Sequence, residues 1–316
     1  MRKQLRVITV ASAAALSLVL AACGGGSSTQ GSDSGSGGIV IRGCTPDVPL
    51  VPGNTSETCG GDMVDAMTAK LVHYNTETAD PEMDIAESIT TDDAVHFTVK
   101  MKKGYKFHDG TEVKASNFVD AWNYTASFAN GQKGSSFFEP VKGYAEVSAK
   151  DSTVTEMEGL KVVDDYTFTI ETSEPTSNLP VRLGYSTFAP LPDSFFADPA
   201  AFEKAPVGAG PFALESISTS EYKFVKFADY AGAYPAQVDS LTFRVYTDDT
   251  AAYNDVVANN LDYTNNIPSD FLVGEQFKSD LQDRNLVRES GRFAGVVFSP
   301  ADEQLKDNLK LRQAIS

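Results

Sequence analysis

Residues 97–122 read FTVKMKKGYKFHDGTEVKASNFVDAW, and the fold is read outward from them. Taken with the two residues in front, Val95, Phe97, Val99 and Met101 alternate with His96, Thr98, Lys100 and Lys102. A period of two sends one side of a strand into a core and the other into water. Lys103-Gly104 turns the chain, and Tyr105-Lys106-Phe107 is expected to continue as a short strand. His108-Asp109-Gly110-Thr111 supplies a second turn, in which Gly110 reaches positive φ at little steric cost. Ser116 is a good N-cap, and Phe118, Val119 and Trp122 follow at core spacing, so a helix is expected from there.

Working upstream, Met63, Val64, Met67 and Leu71 share one helical side, with Asp62 as the expected cap, and Ile39-Val40-Ile41 suggests a first buried strand. Downstream, Tyr166, Phe168 and Ile170 alternate as a strand. Pro175, Pro180, Pro190, Pro192, Pro199 and Pro206 then forbid long regular structure, and this segment is read as a crossover. VGAGPF (207–212) opens a β-rich part containing Tyr222–Val225 and Leu241–Tyr246, after which Thr250 is expected to cap a helix with Tyr253, Val256 and Val257. Leu261-Asp262-Tyr263 begins another extended piece, and Leu309–Ser316 reads as an amphipathic helix just begun, so more chain is expected beyond it.

The start of the chain has its own logic. Arg2, Lys3 and Arg6 precede an apolar run of 14 residues, Val7 to Leu20, too short for the roughly 20 that cross a bilayer. Small residues Ala21-Ala22 then precede Cys23, an arrangement that resembles the lipobox of bacterial lipoproteins. Residues 1–22 are therefore expected to be a signal peptide and Cys23 the lipidated residue, the only membrane anchor. Gly24 to Gly38, GGGSSTQGSDSGSGG, has nothing to bury and is expected to act with Cys23 as a tether over 23–38, reaching on the order of 20 Å. The formal net charge of −17, more negative still without the three basic residues of the signal, excludes nucleic acid as a partner and favours a soluble monomer. Outside the cytosol, Cys44 and Cys59 are expected to be bridged across turn-forming residues including Pro46, Pro49, Pro52 and Gly53. No metal site is expected, since His73, His96 and His108 lack ligand spacing with either cysteine.

The segments 97–122, 207–212, VDSLTFRVYTDD (238–249), 261–263 and LKLRQAIS (309–316), in this order, resemble the solute-binding lipoproteins of peptide and nickel ABC importers. The likeness covers the chain from about residue 39 onward. It implies an α/β fold, a bilobed periplasmic-binding-protein-like clamp with an extra subdomain, and no chemistry or cofactor. Residues 39–62 and 176–290 would form the main lobe, 63–175 the extra subdomain, and 291–316 only the start of a second lobe, most of which would be missing. The implied partners are a peptide ligand and the permease subunits of the importer. A nickel chelate or an oligosaccharide is an alternative ligand on the same scaffold.

A catalyst would show a nucleophile with its base, paired acids or metal ligands. HExxH, GxSxG and a phosphate-cradling glycine loop are all missing from the sequence. A lipid-anchored hydrolase or a structural surface lipoprotein is the less favoured reading. His108 is expected to pack or hydrogen-bond within its turn, Trp122 to sit in the core, and the pairs Asp92-Asp93, Asp164-Asp165 and Asp248-Asp249 to be solvated at turns. By resemblance, Thr45-Pro46-Asp47 would run beside the ligand, and Tyr185, Phe137 and Phe138 would reach the cleft. Peptides held along a strand leave little further side-chain signature.

Overall fold

The computed structural model describes residues 37–288, 295, 297–299 and 301–315. The expected signal segment 1–22, Cys23 and the tether as far as Ser36 lie outside the described residues. In chain order, β1 (Ile39–Gly43) leads to α1 (Thr58–Met67), then to β2 (Val72–Tyr74), β3 (Pro81–Met83), β4 (Ala86–Thr90) and β5 (His96–Met101). Next come α2 (Ala115–Ala126), β6 (Leu160–Asp164) and β7 (Thr167–Glu171). The proline-rich stretch holds only helical turns of three to five residues, such as Leu179–Arg182, Ser186–Phe188 and Asp193–Ala197. After it run β8 (Phe212–Ile217), β9 (Glu221–Lys226), β10 (Ser240–Val245), α3 (Asp249–Val257), α4 (Gln276–Leu281) and α5 (Leu309–Ile315).

Among the described residues the strands make two four-stranded sheets and one ribbon. The first sheet has the order β1-β10-β9-β8, with β1 parallel to β10 (Ile39 opposite Leu241) and the other pairs antiparallel. The second, β4-β5-β7-β6, is antiparallel throughout, and β2 pairs with β3 as the ribbon. Along β5 the apolar residues Phe97, Val99 and Met101 are buried while His96 and Lys100 are exposed. Those buried residues, with Phe168 and Ile170 of β7, pack against Phe118, Ala121 and Trp122 of α2. The same hydrophobic cluster takes in Leu179, Leu183, Phe188, Phe195 and Phe202. Trp122 is its centre: its ring meets Phe168 and Phe188 edge-on at 5.5 Å, and its Nε1–H donates to the Phe188 carbonyl at 3.1 Å. A smaller core joins Met63, Val64 and Met67 of α1 to Phe224, Leu241 and Phe243 of the first sheet.

Several local expectations need correction. The helix expected after Asp62 begins five residues earlier, because the Glu57 carboxylate reaches the Gly60 N–H at 2.8 Å and caps it. Likewise α2 begins at Ala115, where the Asn117 side chain accepts the Lys114 N–H at 2.8 Å, so Ser116 lies inside the helix. The cap of α3 is Asp248, which accepts from the Thr250 N–H. Tyr105–Phe107 forms a single bridge, Lys106 to Glu112, closed by the Phe107 N–H donating to the Thr111 carbonyl at 2.8 Å and the Val113 N–H to the Tyr105 carbonyl at 2.9 Å.

The two sheets are tied together at His108. Its backbone N–H donates to the Gly208 carbonyl at 2.8 Å, and the Gly208 N–H donates to its Nδ1 at 3.2 Å. With Nδ1 accepting, Nε2 carries the hydrogen and donates to the Gly210 carbonyl at 3.1 Å. This is the neutral imidazole, and burial holds its pKa below the usual histidine value. Gly110 in the same turn has φ +86°, and Gly208 lies so near the Met67 carbonyl that a Cβ would fall 1.8 Å from its oxygen. The conformations of 107–111 and 207–211 thus require one another.

Candidate ligand-binding site

Phe137 precedes the buried Phe138 in a single 3-10 turn, and Tyr185 precedes another at Ser186–Phe188. The two turns bring Phe137 and Tyr185 into a parallel stack, ring centroids 4.7 Å apart and planes within 8°. Together with Tyr74, Asn178, Val181 and Arg182 they line a hollow of about 260 Å³. Arg182 is held there by donating to the Phe137 carbonyl at 2.9 Å, and the Tyr74 hydroxyl donates to the Val181 carbonyl at 2.7 Å. Burial, with Asp65 and Tyr185 adding to it, raises the pKa of that hydroxyl, so it stays a donor.

On its other side Tyr185 lines a second, more polar hollow of about 300 Å³, the lower end of the range for small-ligand sites. Its wall comes from five separate segments: Asp65 in α1 with Thr68 and Lys70 after it; His73 and Asp84 around the ribbon; Gly184 to Ser186; Pro211; and Tyr230 and Tyr234 after β9. Asp84 is 5% exposed and accepts from the Tyr105 hydroxyl at 2.7 Å. Burial raises its pKa against the opposing pull of that hydrogen bond, and burial also raises the pKa values of Tyr105 and Tyr230. Lys70 pairs with Asp65 at 2.8 Å, His73 stacks on Tyr234 at 3.9 Å, and Tyr234 donates to Glu82. The enclosed His73 Nε2 has no hydrogen-bond partner. A hollow with one ion pair, a buried acid, phenols and an aromatic stack suits a small ligand carrying both charges and apolar groups. Among the described residues no histidine is hydrogen-bonded to a Ser, Thr or Cys side chain: His96 pairs with Asp93 at 2.7 Å, and His108 serves the backbone.

The sequence-derived candidates are thus divided. Phe137 and Tyr185 meet at the site. Phe138 does not: it is completely buried, 5.0 Å from Phe188 and 5.9 Å from Trp122, and its ring is a core ring. Thr45 and Asp47 are exposed and Pro46 half-buried, just past β1, and they line neither hollow. Cys44 and Cys59, on either side of that segment, form a disulfide with Cα atoms 6.0 Å apart. Tyr74, Asp84, Tyr230 and Tyr234 were not singled out from sequence, and His73 was weighed only as a metal ligand, although the DYAGAY run (229–234), two tyrosines among small residues, was a usable signal. A larger hollow of about 670 Å³ lies beside α2, where Asp120, Glu156 and Asp193 are the charged residues. Its single sign of charge disfavours any ligand with a carboxylate.

A family model described as bacterial extracellular solute-binding proteins, family 5 Middle, matches residues 80–316. The chain belongs to this family. As a member of an extracellular solute-binding family it works outside the cytoplasm. The oligopeptide-binding protein AppA of Bacillus subtilis (strain 168) is 26% identical over 312 residues, covering 95% of this chain and 54% of AppA. The dipeptide-binding protein of Escherichia coli (strain K12) is 26% identical over 263 residues, covering 78% of this chain and 47% of that protein. The structure of Listeria monocytogenes OppA bound to peptide superposes with a TM-score of 0.69 at 20% identity, over 77% of this chain and 49% of that one. The α/β fold of this solute-binding protein is therefore the fold of OppA over the shared part. The chain spans about half the length of the curated relatives it matches. Among the described residues no helix is long and apolar enough to cross a membrane.

Proposed function

We propose that the whole protein captures peptides outside the cytoplasm and delivers them to the permease of an ABC importer, without performing chemistry and without a cofactor. The observation that carries this reading is the family match across 80–316, joined by relatives named for oligopeptide and dipeptide binding. The mixed charge and aromatic stack around Tyr185 support it, since a peptide brings both ionic termini and side chains to be covered. In this reading residues 39–62 and 176–290 act as a main lobe, 63–175 as an added subdomain, and 291–316 as the start of a second lobe. Thr45-Pro46-Asp47 would follow the ligand's main chain beyond β1. Cys23 would carry a lipid that holds a monomer at the membrane.

Thermal-shift titration of the protein in its complete encoded form tests the reading. Peptides should raise the melting temperature as their concentration exceeds Kd, and they should be recovered intact. Stabilisation by nickel chelates or oligosaccharides in place of peptides would replace the ligand, and cleavage of the peptides would replace the function. Tyr185→Ala removes one ring of the stack and should weaken peptide affinity by about two- to tenfold, the scale of an aromatic contact worth about 0.5–1.5 kcal/mol.

A further inference from the structure

We propose that the polar hollow beside Tyr185 takes a basic side chain of the captured peptide, with the Asp84 carboxylate as its counter-charge and tyrosine rings as its walls. The inference rests on the peptide-capture reading above and deepens it by naming the kind of residue that this hollow selects.

The charges of the lining decide the sign. Asp65, Lys70 and Asp84 carry its carboxylates and its ammonium. Lys70 is paired with Asp65 at 2.8 Å, so those two present no net charge to a ligand. Asp84 has no such partner. The Tyr105 hydroxyl donates to its Oδ1 at 2.7 Å and the Tyr230 hydroxyl is hydrogen-bonded to the same carboxyl group, but both donors are neutral. Lys102 gives its hydrogens to the backbone carbonyls of Met83 and Asp84 instead. Among the described residues no Lys, Arg or His nitrogen forms an ion pair with the Asp84 carboxylate. Asp84 is only 5% exposed, and burial raises its pKa, as befits a carboxylate removed from water without a cation beside it. A cation entering the hollow meets a negative charge that solvent screens poorly.

The walls suit the rest of such a side chain. Tyr74, Tyr185, Tyr230 and Tyr234 bring four phenol rings to the lining. Tyr234 is stacked on His73 at 3.9 Å and Tyr185 on Phe137 at 4.7 Å, so these rings are held in place before a ligand arrives. A ring face attracts a cation, and the methylene stem of a lysyl side chain packs against it. The volume, about 300 Å³, stands at the bottom of the range for small-ligand sites and suits one long side chain better than a length of peptide. An acidic side chain would bring a second carboxylate to Asp84 with no cation between them. The hollow on the other side of Tyr185 has the opposite character, since its one charged lining residue is Arg182. A basic side chain is therefore directed to the Asp84 side.

The test is binding calorimetry on the protein in its complete encoded form, with alanine peptides of three to five residues carrying Lys, norleucine or Glu at each position in turn. Every peptide keeps the same free termini, so the comparison reads the side chain alone. At one position Lys should bind about tenfold or more tighter than norleucine, the scale of a hydrogen bond between charged groups, and Glu should bind more weakly than either. Asp84→Asn keeps an oxygen to accept the Tyr105 hydroxyl, and with its fold checked by circular dichroism it should lose the preference for Lys over norleucine. Peptides that bind with Lys no tighter than norleucine at any position, or with Glu as tight as Lys, would overturn this inference and leave the peptide-capture reading standing. A Lys preference undiminished in Asp84→Asn would overturn the role of Asp84. Binding of none of the peptides would refute the capture reading, and this inference with it.

Discussion

Replacing His108 by Ala isolates the tie between the two sheets. The imidazole accepts from the Gly208 N–H at 3.2 Å, donates to the Gly210 carbonyl at 3.1 Å, and meets the Phe227 ring edge-on at 4.9 Å. Both glycines are buried, so removing the ring leaves a donor and an acceptor without their partner. Two hydrogen bonds at about 0.5–1.5 kcal/mol each, plus the ring contact at about 0.5–1.5 kcal/mol, sum to about 1.5–4.5 kcal/mol. The loss should depend on pH. Burial lowers the folded-state pKa of His108 below its unfolded value near 6.5, so the unfolded chain binds the extra proton first. The stabilisation is therefore complete above pH 6.5 and declines as pH falls through 6.5 toward the folded value, where an imidazolium can no longer accept the Gly208 N–H. His96, exposed and hydrogen-bonded to Asp93, has a raised pKa and contributes the opposite slope. Both proteins carry His96, so it cancels in their difference. Urea unfolding of the wild type and His108→Ala at pH 8 and pH 5 should show a gap that is large at pH 8 and smaller at pH 5. A gap below 0.5 kcal/mol at pH 8, or one that stays constant across that range, would refute the account of the clamp.

Trp122→Ala empties the centre of the core around α2 and should destabilise the protein by about 3–5 kcal/mol by urea melt, as large aromatic truncations do. Alkylation of the unreduced protein followed by mass spectrometry should leave Cys44 and Cys59 unmodified. Closing this loop should contribute about 3 kcal/mol, lost in the Cys44→Ser/Cys59→Ser variant. Cys23→Ala should move the protein from the membrane fraction to the soluble one, whereas retention after detergent-free washing would exclude the lipid anchor.

The strand at 96–101 was legible because its burial alternates residue by residue with its chemistry, and Trp122 because its neighbours Phe118 and Val119 repeat at helical spacing. Helix starts were misread where the cap is not a short polar residue ahead of the helix. Glu57 caps α1 with a longer side chain, and Asn117 caps α2 from inside it, so Asp62 and Ser116 looked like better caps than they are. The site was less legible. Tyr185 and Phe137 came from family resemblance, and Phe138 was lost to the core because adjacent residues of a 3-10 turn point to different sides. Tyr74, Asp84, Tyr230 and Tyr234 meet only through tertiary contact between distant segments, which no local period encodes.

The parallel pairing of β1 with β10 sets an order of assembly. Ile39 lies opposite Leu241, so the strand made first has no ladder until some two hundred further residues exist. Everything from α1 to β9 is an excursion between two neighbouring strands. Lengthening such an excursion costs little at equilibrium, since each doubling adds only about 0.6 kcal/mol of closure entropy. Its effect falls on rate, because non-local pairing is slow to find. The hairpins β4-β5 and β6-β7 can form from near neighbours while β1 waits. During that interval Ile39, Val40 and Ile41 form an unpaired apolar edge, open to pairing with another chain.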